Sequence, residues 1–464
     1  MNLQLFKPSF TTKSKSWLYF ISLASLIALS FSSYFLANTS QSNTEFPVSS
    51  IGVYTIIQYC LIAFFMLVAW SLSPKSRYLK NYKLLLITAF LMRIVLIDVE
   101  PYTSNDTSRY LFDGRIAYEG YDPYSISHDA IELTQLREQW QPPKEHAAYV
   151  TIYPPLALAL FTFSSSFGVE KAQLVWRFLL LLAGLLTVYV SALVLKKANK
   201  LNNLALVALS PLLILETGVG LHIDAFSALA VVVAIYFWQQ QLLLYCGIAI
   251  GIGMSLKILP VMLLLPLFFL QQSLKPALML VLSWVTTVAL IYGTTIALGY
   301  VPVGSISVFF EKWRNASPIF TALDSLLTNS QVVLALFVMG VIAVLFIAYT
   351  SFRYSKARYM STSVIYFCMQ AALALPLMLS PVLFPWYLLP LVPLLALRPN
   401  IYLLTWLLLM PMTYEVLGNF LCCQQWQPAL WPVVLLGVLY ALTLLRLIYH
   451  GIKKTSKLNH IDNS

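Results

Sequence analysis

Long apolar stretches recur along the chain, and short polar connectors separate them. Most of these stretches are continuous and about 20 residues long, which is the length of an α-helix that crosses a lipid bilayer. Transmembrane β-strands would instead alternate apolar and polar residues over segments of about ten. The pattern therefore predicts an all-α fold, a polytopic transmembrane bundle of about 14 helices. The predicted spans are residues 17–36, 51–72, 83–98, 172–195, 203–219, 222–238, 242–257, 259–271, 275–297, 331–350, 360–383, 386–397, 401–421 and 429–449.

Two connectors are much longer than the others, residues 99–171 and residues 298–330. In the first, Pro154 and Pro155 open the apolar stretch 156–168, which is too short to span a bilayer by itself. A re-entrant or interfacial helix is one reading, and an ordinary helix start with proline in its first turn is the other. We expect short interfacial helices in this first long outer loop.

Composition and charge place the chain in the membrane. It is 59% hydrophobic and 10% charged, less than half the charged share of ordinary soluble proteins, which excludes a soluble globular protein. The net charge of +11 does not indicate a nucleic-acid partner, because the basic residues cluster in short connectors. Such clusters mark cytoplasmic helix ends, and they place both termini in the cytoplasm. The clusters are Lys7/Lys13/Lys15, Lys75/Arg77/Lys80/Lys83, Lys196/Lys197/Lys200, Arg353/Lys356/Arg358 and Lys453/Lys454/Lys457.

The acidic residues have the opposite bias. Of the 18 Asp and Glu residues, only Asp462 falls in a predicted cytoplasmic segment. The rule for membrane topology gives acidic residues little weight, so this bias needs another cause. We infer that the non-cytoplasmic face holds the working surface, and that the densely charged residues 104–124 are part of it.

The pattern of residues 104–124 predicts a short amphipathic helix. Ser104 or Asn105 can cap its start, and Gly120 can end it. The helix offers an apolar side to the bilayer surface, made of Leu111, Phe112 and Ile116.

The polar face of that helix holds the first candidate for catalysis. Asp106, Arg109, Tyr110 and Asp113 recur at helical spacing. Asp106 at the helix N-terminus stays ionised, because the helix dipole favours a negative charge there. The residues alone give equal weight to the alternative that Asp106 only caps the helix and that Arg109 and Asp113 form a surface ion pair.

Further candidates lie near the ends of later spans. Glu216, His222 and Asp224 flank a turn, and ionisable residues at membrane depth are candidates for a functional site. A hydrogen-bonded turn histidine is the simpler reading of His222. Lys257 can bind a phosphate as a point charge or extend to the interface.

Aromatic residues complete the set of candidates. Trp313 and Arg314 lie in the second long connector, where Arg314 can clamp a phosphate. Trp386 and Tyr387 lie in a proline-rich segment and can stack on a sugar or belong to the aromatic belt at the membrane surface.

Taken in order, these motifs resemble those of the membrane-embedded GT-C glycosyltransferases. Within that superfamily they resemble the polyprenyl-phosphate-mannose-dependent mannosyltransferases of bacteria and archaea, and more distantly the catalytic subunit of the first GPI mannosyltransferase. The ordered set covers about residues 83–397 and is more specific for the superfamily than for the sugar or the acceptor. The motifs are NDTSRYLFDGR from Asn105, GYDPY from Gly120, Tyr153-Pro154-Pro155, His222-Ile223-Asp224, Lys257-Ile258-Leu259-Pro260, Trp313-Arg314-Asn315 and Pro385-Trp386-Tyr387.

The resemblance implies a function. The enzyme transfers a hexose, most simply mannose, from a polyprenyl-phosphate donor to an acceptor glycan or glycolipid on the non-cytoplasmic face, with inversion and with Asp106 as general base. Lys257, Arg314 and Arg109 stabilise the leaving phosphate. The remaining substrate-binding residues that it implies are Asp113, Tyr153, His222, Asp224, Trp313, Trp386 and Tyr387.

We expect no cofactor and no metal. Family members often carry the key acid in a paired or Asp-x-Asp form, whereas Asp106 stands between Asn105 and Thr107. The five cysteines give no disulfide framework and no metal-ligand spacing. We expect the adjacent Cys422 and Cys423 to be free thiols.

The expected organisation has four parts in a bacterial inner membrane, with the active site facing the periplasm. They are an N-terminal transmembrane hairpin at residues 1–82, a GT-C-like catalytic core at 83–397, a C-terminal hairpin at 398–449 and a basic cytoplasmic tail at 450–464.

Two rival functions stay open. A transporter or flippase of lipid-linked sugars also has many spans, but it predicts inverted repeats and acids near the midplane of the membrane. A non-catalytic subunit of an envelope complex is the other rival.

Overall fold

The computed structural model describes residues 12–41, 48–73, 79–355, 362–423 and 425–461. Within these ranges the chain is helical and forms no β-strand, only an isolated bridge between Asn315 and Val382. The predicted all-α membrane fold is therefore confirmed. The α-helices are α1 Thr12–Ser40, α2 Ile51–Leu72, α3 Leu79–Val95, α4 Asp106–Tyr118, α5 Thr134–Trp140, α6 Pro155–Ser165, α7 Val169–Lys197, α8 Ala205–Ala208, α9 Pro211–Gly218, α10 Asp224–Gln239, α11 Leu243–Leu256, α12 Leu264–Phe269, α13 Leu274–Ala297, α14 Ile306–Lys312, α15 Pro318–Asp324, α16 Asn329–Ser355, α17 Thr362–Leu379, α18 Val392–Leu397, α19 Ile401–Leu409, α20 Leu417–Cys423 and α21 Leu430–Ile461.

Short 3-10 helices connect several of these elements. They are Ile131–Leu133, Lys144–His146, Leu201–Asn203, Leu259–Leu263, Pro385–Leu391 and Met410–Val416. Each of the last three contains proline near its start, which removes a backbone donor and breaks a regular helix.

Among the described residues, 8 helices are long and apolar enough to cross a membrane. Shorter apolar helices of 10–17 residues accompany them. The predicted number of about 14 spans includes segments as short as these, so that number stays a prediction. The long helices are Ser14–Ser40, Ile51–Leu72, Val169–Lys197, Leu201–Gly218, Leu274–Ala297, Asn329–Ser355, Thr362–Leu379 and Ile401–Cys423.

The first long connector folds around α4 and α6. Helix α4 ends near the predicted position, since Gly120 has a φ of +86° that residues with a side chain rarely adopt. The two helices touch at Gly114, where an added Cβ would lie 2.2 Å from the carbonyl carbon of Phe161. Glycine therefore allows α4 to press its backbone against α6.

The apolar side of α4 does not face the bilayer, and this corrects the sequence prediction. Leu111, Phe112 and Ile116 are all buried inside the protein. Phe112 and Ile116 pack with Leu133 from the same connector. The loop folds back over the helix and covers the side that the sequence assigned to the membrane surface.

The N-terminal and C-terminal helices share one hydrophobic core with the middle of the chain. That core runs from Tyr19 in α1 to Tyr440 in α21 and includes residues of α9 and α10. The predicted boundaries after residues 82 and 397 thus cross a continuous core, and as functional divisions they stay predictions. At the end of α20, Cys422 and Cys423 form a disulfide, so the expectation of free thiols is wrong.

Candidate active site

A large cavity lies where α4, the start of α10 and the end of α11 meet. Its volume is about 940 Å³. One part of its wall is polar and belongs mainly to the first long connector, and the other part is apolar and belongs to later helices. The polar wall includes Asp106, Arg109, His146, Tyr153, Asp224 and Lys257, and the apolar wall includes Met262, Leu336, Phe337, Leu377, Leu417 and Leu421.

Asp106 is the first residue of α4 and reaches into the cavity. Its side chain is 19% exposed. The hydroxyl of Tyr110 donates to Asp106 Oδ2 at 3.3 Å, and Nε2 of His222 lies 3.8 Å from the same oxygen. A partly exposed carboxylate at a helix N-terminus, where the dipole favours its charge, can accept a proton from a bound hydroxyl group.

Lys257 and Asp224 form an ion pair at the cavity wall. Lys257 Nζ donates to Asp224 Oδ2 at 3.0 Å, and Asp224 is buried. The ammonium also lies 4.9 Å from the centre of the Tyr387 ring and 5.8 Å from that of Tyr153. These contacts hold the cation at the end of α11, and its remaining N–H donors can bind an anion.

Arg109 adds a second cation to the same wall. It lies one turn after Asp106 on α4, and its guanidinium is buried over the Tyr153 ring at 5.8 Å. Its Nε has no hydrogen-bond partner among the described residues. A buried guanidinium with spare donors is suited to a bound phosphate.

Trp386 does not present an open ring face. It stacks on His222 with ring centres 3.7 Å apart and on Phe384 with ring centres 4.4 Å apart, and all three rings are nearly parallel. Rings this close cannot share one face, so Trp386 lies between the other two. Trp386, Tyr387 and Trp313 nevertheless line the cavity.

Three sequence-predicted residues do not line the cavity. Asp113 is buried behind it, where Oδ1 lies 2.6 Å from His128 Nε2 and Oδ2 accepts from Thr151 Oγ1 at 2.8 Å. His222 lies directly behind Asp106. Arg314 is exposed, donates to the Phe310 carbonyl at 2.9 Å and lies over the Phe320 ring.

His146 is a cavity residue that the sequence reasoning missed. It lies in a connector without periodicity and belongs to no recognised motif, so no signal distinguished it. Its ring is buried, its Nδ1 has no hydrogen-bond partner among the described atoms, and its centre lies 5.3 Å from that of Trp313. Burial, and next the Arg109 guanidinium, lower its pKa to about 4. The neutral ring can therefore bind a sugar hydroxyl near pH 7.

Fold and site together define a class. The chain is a helical membrane protein with a cavity where the Asp106 and Asp224 carboxylates meet two cations, and where an apolar wall continues from them. No group of three or more His, Cys, Asp or Glu in the described ranges could hold a metal ion. This composition suits a transferase that handles a charged and partly apolar substrate.

A comparison with known protein families identifies the family of this chain. A family model described as "Alpha-(1->6)-mannopyranosyltransferase, N-terminal domain" matches residues 20–272, which is more than half of the chain. The chain belongs to this family of mannosyltransferases, as the motifs predicted. No curated protein matches the chain. The matched region begins inside α1 and ends in the segment after α12, so it contains Asp106, Arg109 and Lys257 but neither Trp313 nor Trp386.

Proposed function

We propose that this protein transfers mannose from a polyprenyl-phosphate donor to an acceptor glycan or glycolipid on the non-cytoplasmic side of the membrane. One observation carries the proposal. A single cavity brings the Asp106 carboxylate close to the Lys257 and Arg109 cations and continues along an apolar wall. The family match supports mannose as the sugar.

In this proposal Asp106 is the general base. The acceptor O–H bond breaks, its oxygen bonds to the anomeric carbon, and the proton passes to Asp106. The bond between the anomeric carbon and the phosphate oxygen breaks in the same step, so the configuration at that carbon inverts. A positioned base of this kind contributes a factor of about 10²–10⁴ to the rate.

The leaving phosphate carries away the bonding electrons and needs a positive environment. We assign this role to Lys257 and Arg109, because both line the cavity beside Asp106. Preorganised cations at the site of developing charge are a major source of rate enhancement. We leave Arg314 out of the phosphate site, because its guanidinium donates to the carbonyls of Phe310 and Trp313 and does not itself line the cavity.

The apolar wall supports a lipid-linked donor. Leu336, Phe337 and Gly340 belong to α16, one of the helices that are long and apolar enough to cross a membrane. Phe337 is 68% exposed, so this side of the cavity adjoins the outer surface of the bundle, where lipid would lie. A polyprenyl chain could enter from the bilayer along this wall, whereas a nucleotide-linked sugar would gain nothing from it.

The distribution of charge supports the side of the membrane that we propose. The first long connector builds most of the polar wall, and the basic connectors lie at the other ends of the predicted spans. The positive-inside rule then supports a cavity that faces away from the cytoplasm and termini that lie in the cytoplasm. The family name suggests an α-(1→6) linkage for the product, and we include it in the proposal.

The test is a transfer assay. Purified protein is incubated with radiolabelled polyprenyl-phosphate mannose and a lipid glycan extract, and new glycosidic product is measured. The wild type should form product, and Asp106→Asn should lower turnover by about 10²–10⁴-fold without changing the thermal midpoint. Asp129→Asn is the matched control, because Asp129 is an exposed acid in the same connector.

The outcomes separate the rival functions. Full transfer activity in Asp106→Asn would contradict the role of this residue as base. Movement of the lipid-linked sugar across liposomes without a new glycosidic bond would support a flippase. Neither product nor movement would support a non-catalytic subunit.

A further inference from the structure

Two buried ionisable side chains, Glu216 and His222, lie directly behind Asp106. Each is 0% exposed. His222 Nδ1 lies 2.9 Å from Glu216 Oε2, and the backbone N–H of His222 donates to the Glu216 carbonyl at 2.9 Å. The proposed reaction does not yet use either of them.

Two tyrosines hold the other oxygen of Glu216. The hydroxyls of Tyr59 and Tyr414 donate to Oε1 at 2.6 and 2.7 Å. Tyr59 comes from α2 and Tyr414 from the 3-10 helix Met410–Val416, so the two ends of the chain meet at this carboxylate. A carboxyl group that accepts two phenol donors is best matched by the ionised form, which accepts on both oxygens.

An ionised Glu216 determines the tautomer of His222. Its free oxygen can only accept, so the imidazole carries its proton on Nδ1 and leaves Nε2 with a lone pair. Nε2 is buried, has no hydrogen-bond partner among the described atoms, and lies 3.8 Å from Asp106 Oδ2.

The ring cannot easily turn away from this position. Trp386 covers one face at 3.7 Å. A Cβ on Gly220 would lie 2.5 Å from His222 Nδ1 and 2.7 Å from Glu216 Oε2. The Gly220 backbone therefore packs closely against the edge of the imidazole ring. The other charged groups around the ring are Asp106 and, farther away, Asp224 with its partner Lys257.

We propose that Glu216 and His222 form a proton relay that returns Asp106 to its ionised state during sugar transfer. The inference rests on the proposed function. After the acceptor proton reaches Asp106 Oδ2, that O–H bond breaks and an N–H bond forms at His222 Nε2. The product is an imidazolium between two carboxylates, so the net charge of the three groups is unchanged and no electron transfer is involved. When the product leaves, the proton returns through the partly exposed Asp106 to water.

The relay needs the 3.8 Å gap between Asp106 Oδ2 and Nε2 to close to hydrogen-bond length. Such contacts are often long without substrate and tighten when it binds. Asp106 has room to move, since it is the first residue of its helix and its side chain is partly exposed. Neither His222 nor Glu216 lines the cavity, and both act through Asp106, so they are positioning residues.

Glu216→Gln is the variant that tests the relay most directly. Its carbonyl oxygen still accepts from Tyr59 and Tyr414, while its amide group must donate to His222 Nδ1. The imidazole then carries its proton on Nε2, points it at Asp106 and can no longer accept one. Turnover should fall about 100-fold, the KM for the donor should stay within about twofold, and the pH profile of kcat should change.

His222→Gln should give the same pattern, and His128→Gln is the matched control. His128 forms a similar buried pair with Asp113 but does not contact Asp106. The control variant should keep the wild-type pH profile of kcat even where its thermal midpoint falls. Combining Glu216→Gln with Asp106→Asn should cost little beyond Asp106→Asn alone, because residues that act as one unit are not additive.

A measurement that does not depend on enzyme activity tests the relay separately from the proposed function. Nitrogen-15 NMR of histidine-labelled full-length protein reports which ring nitrogen carries the proton, and His222→Gln assigns the signal. We expect the Nδ1–H form in the wild type and the Nε2–H form in Glu216→Gln. An Nε2–H signal in the wild type overturns the relay. So does a Glu216→Gln variant with wild-type turnover and pH profile. Absence of any transfer by the wild type instead overturns the proposed function.

Discussion

At the scale of single residues, local spacing predicted which side chains share a helix but not which of them reach a common cavity. Asp106 and Arg109 lie on the cavity wall, whereas Asp113 on the same predicted face turns to His128 and Thr151. Those partners come from the long connector after α4. The path of that connector has no periodic signal, so the sequence could not assign Asp113 to the protein interior.

The Lys257–Asp224 pair allows catalysis and stability to be separated. Lys257→Met removes a cation that we assign to the leaving phosphate, so turnover should fall by about 10²–10³-fold. It also leaves Asp224 buried without a partner and should lower the free energy of unfolding by about 3 kcal/mol. The double variant Asp224→Asn/Lys257→Met should recover the thermal midpoint but not the turnover. Recovered turnover in the double variant would show that the cation itself is dispensable.

Because His146 is buried, we expect the stability of the folded protein to depend on pH. Its pKa in the folded protein is about 4 because burial disfavours the charged ring, while an unfolded histidine titrates near pH ~6.5. Between these values the unfolded state binds one more proton. Stability is therefore highest above the unfolded value and falls as the pH is lowered towards the folded one.

The measurement is the thermal midpoint in detergent at several pH values across this window. His146→Gln should make the fall with decreasing pH shallower than in the wild type. The other histidines are the same in both proteins, so only the difference between the two curves is attributed to His146. Parallel curves would mean that the ring is not held neutral by burial.

At the scale of helices, the sequence predicted where α4 begins and ends better than it predicted which environment covers its apolar face. Asn105 directly precedes α4 and Gly120 follows its end as predicted, although the Asn105 side chain makes no capping hydrogen bond. A positive φ at a helix end is a local property that the sequence can predict. The same sequence assigned Phe112 and Ile116 to the membrane surface. Apolar residues on a short amphipathic helix suit either lipid or a folded loop, and only the tertiary structure distinguishes the two.

The close contact between α4 and α6 predicts that a side chain at Gly114 would destabilise the protein. Gly114→Ala places a Cβ within 2.2 Å of the Phe161 backbone, which cannot yield as a side chain would. The helices must separate, so the thermal midpoint should fall and Asp106 should shift from its position. Overpacking of this kind costs about 1–3 kcal/mol. Gly293→Ala in α13 is the control, because no atom lies within 4 Å of its added Cβ, and an unchanged midpoint in Gly114→Ala would refute the close packing.

At the scale of the whole molecule, the sequence predicted the class and the family but not the number of spans. Continuous apolar runs are sufficient to identify a helical membrane protein, and the ordered motifs matched the family that the comparison found. The prolines after Ile258 and Phe384 divide the apolar runs there into short buried pieces. Hydropathy cannot tell such pieces from full spans, so the count stays open.

The direction in which the cavity faces is a property of the whole molecule and can be tested in intact cells. Helix α7 begins near the cavity, since Gln173 donates to Glu100, next to the cavity residue Pro101, and Trp176 donates to the Leu221 carbonyl. It runs for 29 residues, which is about 43 Å at 1.5 Å per residue. We therefore expect Lys196 to lie at the opposite end of the bundle from the connector that contains Asp129. In a cysteine-free background, Asp129→Cys should react with a membrane-impermeant maleimide in intact cells, and Lys196→Cys should react only after permeabilisation. The reverse pattern would place the cavity on the cytoplasmic side, where a donor already moved to the outer leaflet could not reach Asp106.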